Sequence, residues 1–237
     1  MGIADLGPKS NLILNADIIV KAYEAPQAKD HLSILSYNIG FGVGPVQVTV
    51  GETKPRSEFL HNLDEIARVV EETSADILLL QEVDLNSRRS HYLNQLHHLQ
   101  ERLAWPYAAC TTTWKTYVPF DKIGKVHECA AILSRYPILK NEARVYQFEP
   151  QHKNRLFNLL LYLFFVWKSV IQYGQVEYRG RKINLFNLHL DVFSRANRAL
   201  QIQALIDWIK HLELEKNLIF GGDLNYHAEL GRERKAD

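Results

Sequence analysis

Asn38, Glu82, His189, Asp223 and Asn225 are the residues of this sequence whose types and placing could do chemistry together. Asn38 closes an apolar run at Leu32–Ile39, and Glu82 comes two residues after the run Asp76–Leu80. His189 lies near the end of Lys182–Leu190, while Asp223 and Asn225 follow Asn217–Phe220. If these four runs are strands of adjacent sheets, their carboxyl ends bring the polar groups to one rim. A carboxylate and an amide oxygen there suit a hard divalent cation, and a histidine suits a phosphoryl oxygen. Each residue also has a plainer reading. Asn38 before Gly40 fits the start of a turn, and Asp223 and Asn225 after Gly221-Gly222 fit ordinary loop chemistry. Glu82 fits a surface carboxylate, and His189, in a strand apolar on both sides, fits a hydrogen-bonded core histidine. Singly, each plainer reading is the better one; the joint arrangement is what points to a site.

The elements that must position these groups follow from hydrophobic periodicity. A first core strand is expected at Leu32–Ile39. Leu60, Leu63, Ala67 and Val70 recur at helical spacing, with Ser57 as N-cap behind Pro55. The run Asp76–Leu80 reads as a buried strand. Leu93, Leu96, Leu99 and Leu103 form a second helical stripe behind Ser90, and 104–125 has the Pro, Thr and Gly content of a long loop. Cys129–Ser134 reads as a strand, and Ile171–Tyr178 and Lys182–Leu190 read as a hairpin turning at Arg179-Gly180-Arg181. A last helix follows Ser194, with Ile202, Leu205, Ile209 and Leu212 on one side, before the strand Asn217–Phe220. A hairpin beside strands joined through helices predicts two packed sheets flanked by helices rather than a regular doubly wound sheet.

Composition bounds the rest. The 237 residues, 46% hydrophobic and 23% charged, fit one soluble globular domain, read as 31–237 behind an N-terminal extension at 1–30. That extension holds the apolar stretch Leu12–Val20 and a polar linker with Pro26. A net charge of +1 supplies no overall field toward nucleic acid or an anionic membrane. Cys110 and Cys129 have no Cys-x-x-Cys spacing, which argues against a zinc cluster or disulfide framework and favours a reducing compartment. Met1 to Asp30 has no secretory signal pattern, so the expected location is cytoplasmic. The greasy stretch 156–167 is too short to span a bilayer. A core element is its favoured reading; the other is a membrane-interface segment between Lys153, Arg155 and Lys168, which would suit a lipid substrate and peripheral membrane contact.

The strings Leu35-Ser-Tyr-Asn-Ile39, Asp76-Ile-Leu-Leu-Leu-Gln-Glu-Val-Asp84, Ala131-Ile-Leu-Ser-Arg-Tyr-Pro-Ile138, Asn187-Leu-His-Leu190 and Gly222-Asp-Leu-Asn225 stand in an order and spacing that resembles the endonuclease/exonuclease/phosphatase (DNase I-like) superfamily. The resemblance spans Leu32 to Asn225 and implies a four-layered α/β sandwich. It implies that Glu82 holds Mg²⁺ or Mn²⁺ with Asn38 beside it. Asp223 would orient or deprotonate the attacking water, Asn225 would hold a phosphoryl oxygen or help position that water, and His189 would donate to the phosphate. Glu128, in His127-Glu-Cys-Ala130, would orient His189 in some members.

Members also carry a Ser-Asp-His or similar element several tens of residues after the Gly-Asp-x-Asn motif. No Asp-His pair follows Asn225 here, and His227 is too close to Asp223 to be that residue. The expectation is a chain short of its last catalytic segment, with incomplete C-terminal strands and impaired activity. The implied function is Mg²⁺-dependent phosphoester hydrolysis, favouring a phosphodiesterase on a lipid or small phosphoester. A nuclease on DNA or RNA is the alternative enzyme, and a remnant that binds phosphorylated ligands or a partner is the alternative from another class. Tyr37-Asn38 and Val83-Asp84 stand where abasic-site endonucleases carry Trp-Asn and Thr-Lys, which argues against DNA repair. Arg88-Arg89, Lys122 with Lys125, Arg179 with Arg181-Lys182, and Arg195 with Arg198 are candidate phosphate readers, although such loop pairs are usually solvated surface.

Overall fold

Val, Ile, Leu and Thr fill the runs that become strands, because β-branched and apolar side chains fit a pleated, half-buried surface. A computed structural model, describing residues 13–15, 17–24, 27, 29–44, 54–118, 124–146, 169–192 and 194–226, assembles these runs into two five-stranded sheets. One has the order β1 (Ile13–Asn15), β7 (Ile138–Tyr146), β8 (Ser169–Tyr178), β9 (Arg181–His189), β10 (Leu218–Asp223). The other has the order β2 (Ile18–Val20), β5 (Tyr107–Val118), β6 (Gly124–Ser134), β4 (Ile77–Asp84), β3 (Ile34–Asn38). Among the described residues three α-helices cover them: α1 (Arg56–Glu72), α2 (Gln95–Leu103) and α3 (Arg195–His211).

Alternation along β4 shows how the layers form. Leu78 and Leu80 face Leu63, Ala67 and Val70 of α1 and Leu96 and Leu99 of α2. Ile77 and Leu79 face the other way, into a core shared with Ile138, Val176 and Leu185 of the first sheet. Leu205 and Trp208 of α3 close the far side against Tyr173, Phe186 and Leu188. Helix, sheet, sheet and helix are thus stacked in four layers, the α/β sandwich that the family resemblance implies.

Several expectations need correction. Within the expected loop at 104–125, Tyr107–Val118 is instead the long strand β5, paired with β6 from Tyr107↔Ser134 to Val118↔Gly124, and 119–123 lie outside the described residues. Thr111, Thr112, Thr113, Thr116, Tyr117 and Val118 are strand formers, and their β propensity outweighs the loop-like Thr content. The apolar stretch in 12–20 gives two edge strands, β1 on β7 and β2 on β5, so these residues extend both sheets. Pro55, not Ser57, is the N-cap of α1, and Asn94, which accepts from the His97 N–H at 2.9 Å, caps α2. Ser194 caps α3 as expected, but its buried face is Asn197, Gln201, Leu205 and Trp208, leaving Ile202 and Ile206 exposed. Trp208 and Leu205 seat the helix on the sheet with Ile209 and Leu212 packed against the same cluster, so the expected stripe holds at Leu205, Ile209 and Leu212 and fails at Ile202. The stretch 156–167, Lys122 and His227 lie outside the described residues. Among the described residues no helix is long and apolar enough to cross a membrane.

Between the sheets runs a chain of buried amides. Gln81 on β4 donates to Asn187 Oδ1 on β9 at 2.6 Å, and Asn187 donates to Gln172 Oε1 on β8 at 3.0 Å and to the Leu80 and Ala131 carbonyls at 3.0 and 3.1 Å. Gln172 donates on to Asn141 Oδ1 on β7 at 2.9 Å, and Asn141 donates to the Cys110 carbonyl at 3.1 Å. Each buried polar group left without its partner costs about 1–3 kcal/mol, and removing Asn187 strands more than one. Asn187→Ala is therefore expected to lower unfolding free energy by at least about 2 kcal/mol in urea titrations. A loss within error of zero would mean that apolar packing alone sets how the sheets meet.

Candidate active site

Parallel pairing decides where the site falls. β3 runs parallel to β4 and β9 parallel to β10, so the carboxyl ends of all four strands reach the same rim. Asp223 pairs directly with His189 in that register. Asn38 Nδ2 then spans the sheets, donating at 3.0 Å to Glu82 Oε1 and at 3.0 Å to Asp223 Oδ2. His189 Nε2 lies 3.6 Å from Glu82 Oε1. Asn225 donates its backbone N–H to Asp223 Oδ1 at 2.8 Å and its side-chain amide to the Leu190 carbonyl at 2.8 Å. The structure therefore brings all five residues together.

Local backbone features make this meeting possible. β4 carries a register shift between Leu80 and Val83, and Glu82, inside it, has a left-handed φ of 55°. A bulge re-aims one side chain, and a non-glycine residue in this region is held only where its surroundings over-determine it. The glycines before Asp223 have a different task. A Cβ on Gly222, whose φ is +142°, would stand 1.9 Å from the Leu188 carbonyl oxygen, and one on Gly221 would stand 2.7 Å from Leu79 Cδ1. Gly221 thus lets β10 approach the opposing sheet, and Gly222 lets its end close on β9 just before His189. They are requirements of close approach rather than ordinary loop residues.

The donor set fits a hard divalent cation. Glu82 and Asp223 converge on one amide nitrogen, and among the described residues neither has a Lys or Arg ion-pair partner. Two carboxylates on one neutral donor leave negative charge that a dication offsets. Asn38 Oδ1 accepts from the Gly40 N–H at 3.0 Å, so Asn38 turns its nitrogen toward the carboxylates and keeps only one oxygen lone pair free. Among the described residues no group of three or more His, Cys, Asp or Glu is placed to bind a metal.

A model of the endonuclease/exonuclease/phosphatase family matches residues 35–234. The chain belongs to that family. Among solved structures it is similar to a mannosyl-6-phosphatase from Bacteroides thetaiotaomicron, at 20% identity and a TM-score of 0.55, over 82% of this chain and 66% of that one. It is also similar to TDP2 from Caenorhabditis elegans, at 19% identity and TM-score 0.51, over 84% of this chain and 48% of that one. An endonuclease/exonuclease/phosphatase protein from Beutenbergia cavernae, at 17% identity, gives a TM-score of 0.58 over 82% of this chain and 47% of that one. The chain thus spans 66% of the first of these and about half of the other two. At such identities the likeness is one of fold. A search of curated proteins by sequence gave no match.

Within the endonuclease/exonuclease/phosphatase fold Glu128 does not take the role expected of it. Its carboxylate accepts from Thr113 Oγ1 at 3.0 Å and from Arg89 Nη2 at 3.1 Å, and it is Glu82 that stands beside His189. Arg89 also grips Asp84, through Nε at 3.0 Å and Nη2 at 2.9 Å. Arg89, a candidate phosphate reader from sequence, is thus engaged by carboxyl groups; its spacing of five from Asp84 in Asp84-Leu-Asn-Ser-Arg-Arg89 is the sequence signal for this pair.

Burial pushes the Glu128 carboxyl up to about 7, against the pull of Arg89 and with the help of the Asp84 and Glu82 charges. A carboxyl whose folded-state pKa lies above its ordinary 4.5 makes the folded chain bind the proton more tightly. The resulting stability is full below pH about 4.5 and is lost as pH rises through about 7. Melting temperatures of the parent and Glu128→Gln across pH 5 to about 8 should therefore diverge, the variant gaining on the parent as pH rises. A difference that stays constant with pH would show that Glu128 is not held protonated.

Proposed function

We propose that this protein is a metal-dependent phosphoester hydrolase. The observation that carries this reading is the Asn38 amide bridging Glu82 and Asp223 while His189 stands 3.6 Å from Glu82. Glu82, with Asn38 beside it, would hold Mg²⁺ or Mn²⁺. When bound, such an ion polarises a phosphoryl oxygen and offsets the charge of the transition state.

The remaining work falls to the chain's own groups. Asp223 accepts the proton of the attacking water as the water oxygen bonds to phosphorus and the ester P–O bond breaks. Its two oxygens are aimed by the Asn38 amide and the Asn225 N–H, which suits a base whose direction matters. His189 Nε2 donates to a phosphoryl oxygen, and more strongly if protonated. Asn225 uses one amide hydrogen on the Leu190 carbonyl and has a second for a phosphoryl oxygen.

The favoured substrate is a phosphodiester of a lipid or small molecule. A net charge of +1 supplies little of the phosphate attraction on which nucleic-acid binding rests. The similar mannosyl-6-phosphatase shows by its name that this fold can serve a small phosphoester.

Mg²⁺-dependent hydrolysis of bis-p-nitrophenyl phosphate is the test. Glu82→Gln should reduce the Mg²⁺-stimulated rate to background while circular dichroism stays unchanged; unaltered turnover would remove the metal assignment. His189→Ala should lower the rate about 100-fold or more while Mn²⁺ affinity holds, since it removes a donor used in the transition state. Equal losses of rate and of metal affinity would place His189 on the metal instead.

A further inference from the structure

Arg89 is a poor candidate for reading substrate phosphate, because its charge is already matched. The buried Asp84 carboxylate meets its Nε and Nη2, and the buried Glu128 carboxyl also meets Nη2. The guanidinium instead joins four segments of chain. Asp84 ends β4, two residues after Glu82. Phe41, three residues after Asn38, lays its ring 3.3 Å from Arg89 Cζ, and the Trp114 ring of β5 lies at 5.7 Å. Glu128 brings in β6.

A second tie runs alongside the first. Gln95 accepts from the Asp84 backbone N–H at 2.9 Å and donates to the Phe41 carbonyl. The turn that Phe41 occupies, Gly40–Gly42, is also the one whose Gly40 N–H holds Asn38 Oδ1. Glu82 and Phe41 both have left-handed backbones, with φ of 55° and 56°. Non-glycine residues persist there only under constraint, and the guanidinium touches the Phe41 ring and Asp84, two residues beyond Glu82.

We infer that Arg89 is a positioning residue for the metal side of the site, locking the turn after β3 to the end of β4 and so setting Asn38 relative to Glu82. It touches neither metal nor phosphate. The inference rests on the reading above, in which Glu82 and Asn38 hold a divalent cation. A guanidinium suits the task because its planar fork grips one carboxylate through two nitrogens, turns to a second, and stacks on an aromatic ring. A lysine would keep the charge and lose that geometry.

The experiment compares Mn²⁺ binding, read by electron paramagnetic resonance of the free ion, in the parent protein, Arg89→Lys and Phe41→Leu. Groups that orient metal ligands from behind typically contribute 10–100-fold to affinity, so Arg89→Lys should weaken Mn²⁺ binding about 10-fold or more. Phe41→Leu, which leaves both carboxylates paired, should weaken it in the same direction and carries the test if Arg89→Lys fails to fold. At saturating Mn²⁺ the KM for bis-p-nitrophenyl phosphate should stay at the parent value. Unchanged Mn²⁺ affinity in folded variants would overturn the inference while leaving the proposed function intact. A raised KM with unchanged Mn²⁺ affinity would overturn it too, by making Arg89 a substrate contact. A parent protein that binds no Mn²⁺ would remove the proposed function and this inference with it.

Discussion

Two sheets that meet face to face are joined by side chains, and most of those contacts carry no direction. Burial of Ile77, Leu79, Ile132, Val176 and Leu185 favours contact between the sheets, but apolar attraction scales with area and would tolerate small slides. The amide chain through Gln81, Asn187, Gln172 and Asn141 tolerates none. Each of these side chains is buried, and each bond has a fixed donor and acceptor, so one register satisfies them together. A one-residue slip in either strand would turn these amides to the opposite face and leave them unpaired. The site depends on this constraint directly, since Glu82 follows Gln81 and His189 lies two residues beyond Asn187.

Much of the frame was legible because it rests on local patterns. Of the strands that carry Asn38, Glu82, His189 and Asp223, β4 opens on the continuous apolar run Ile77–Leu80, and in each of the four a polar residue stands out at or near the carboxyl end. α1 showed its buried stripe for the same reason. β5 did not, since threonines serve loops and strands alike and its pairing with β6 is long-range information. The two short strands within 12–20 became readable only as edges added to sheets that other segments build. The face of α3 was legible at Leu205, Ile209 and Leu212 but not at Ile202, because spacing gives equal weight to every apolar residue while packing favoured Trp208.

For the candidate site, residue types were legible and orientations were not. Nothing in a string of letters shows that Asn38 offers its nitrogen to two carboxylates, or that its oxygen is occupied by the next turn. Nor does Glu128 announce that Arg89 and Thr113 will claim it. Cys110 and Cys129, nineteen apart in sequence, fall on paired strands, where Cys129 sits opposite Thr112 and Cys110 opposite Ala131; both remain free thiols. These arrangements depend on which strands become neighbours, which is a property of the folded chain.

The proposed division of labour between the sheets rests on the same geometry. Asn38 and Glu82 come from one sheet, and His189, Asp223 and Asn225 from the other or its margin. A cation held by the first pair and a phosphate contacted by the second group would sit across the junction, where a small change in inter-sheet angle alters every distance at once. Rigidity at that junction therefore has to come from contacts with direction, and both sheets supply them. The buried amides fix the floor, Asn38 spans the rim, and Gly221 and Gly222 remove the side chains that would hold the strands apart. Polar groups that would be costly in an ordinary core are useful here because their unmet hydrogen bonds penalise every alternative packing.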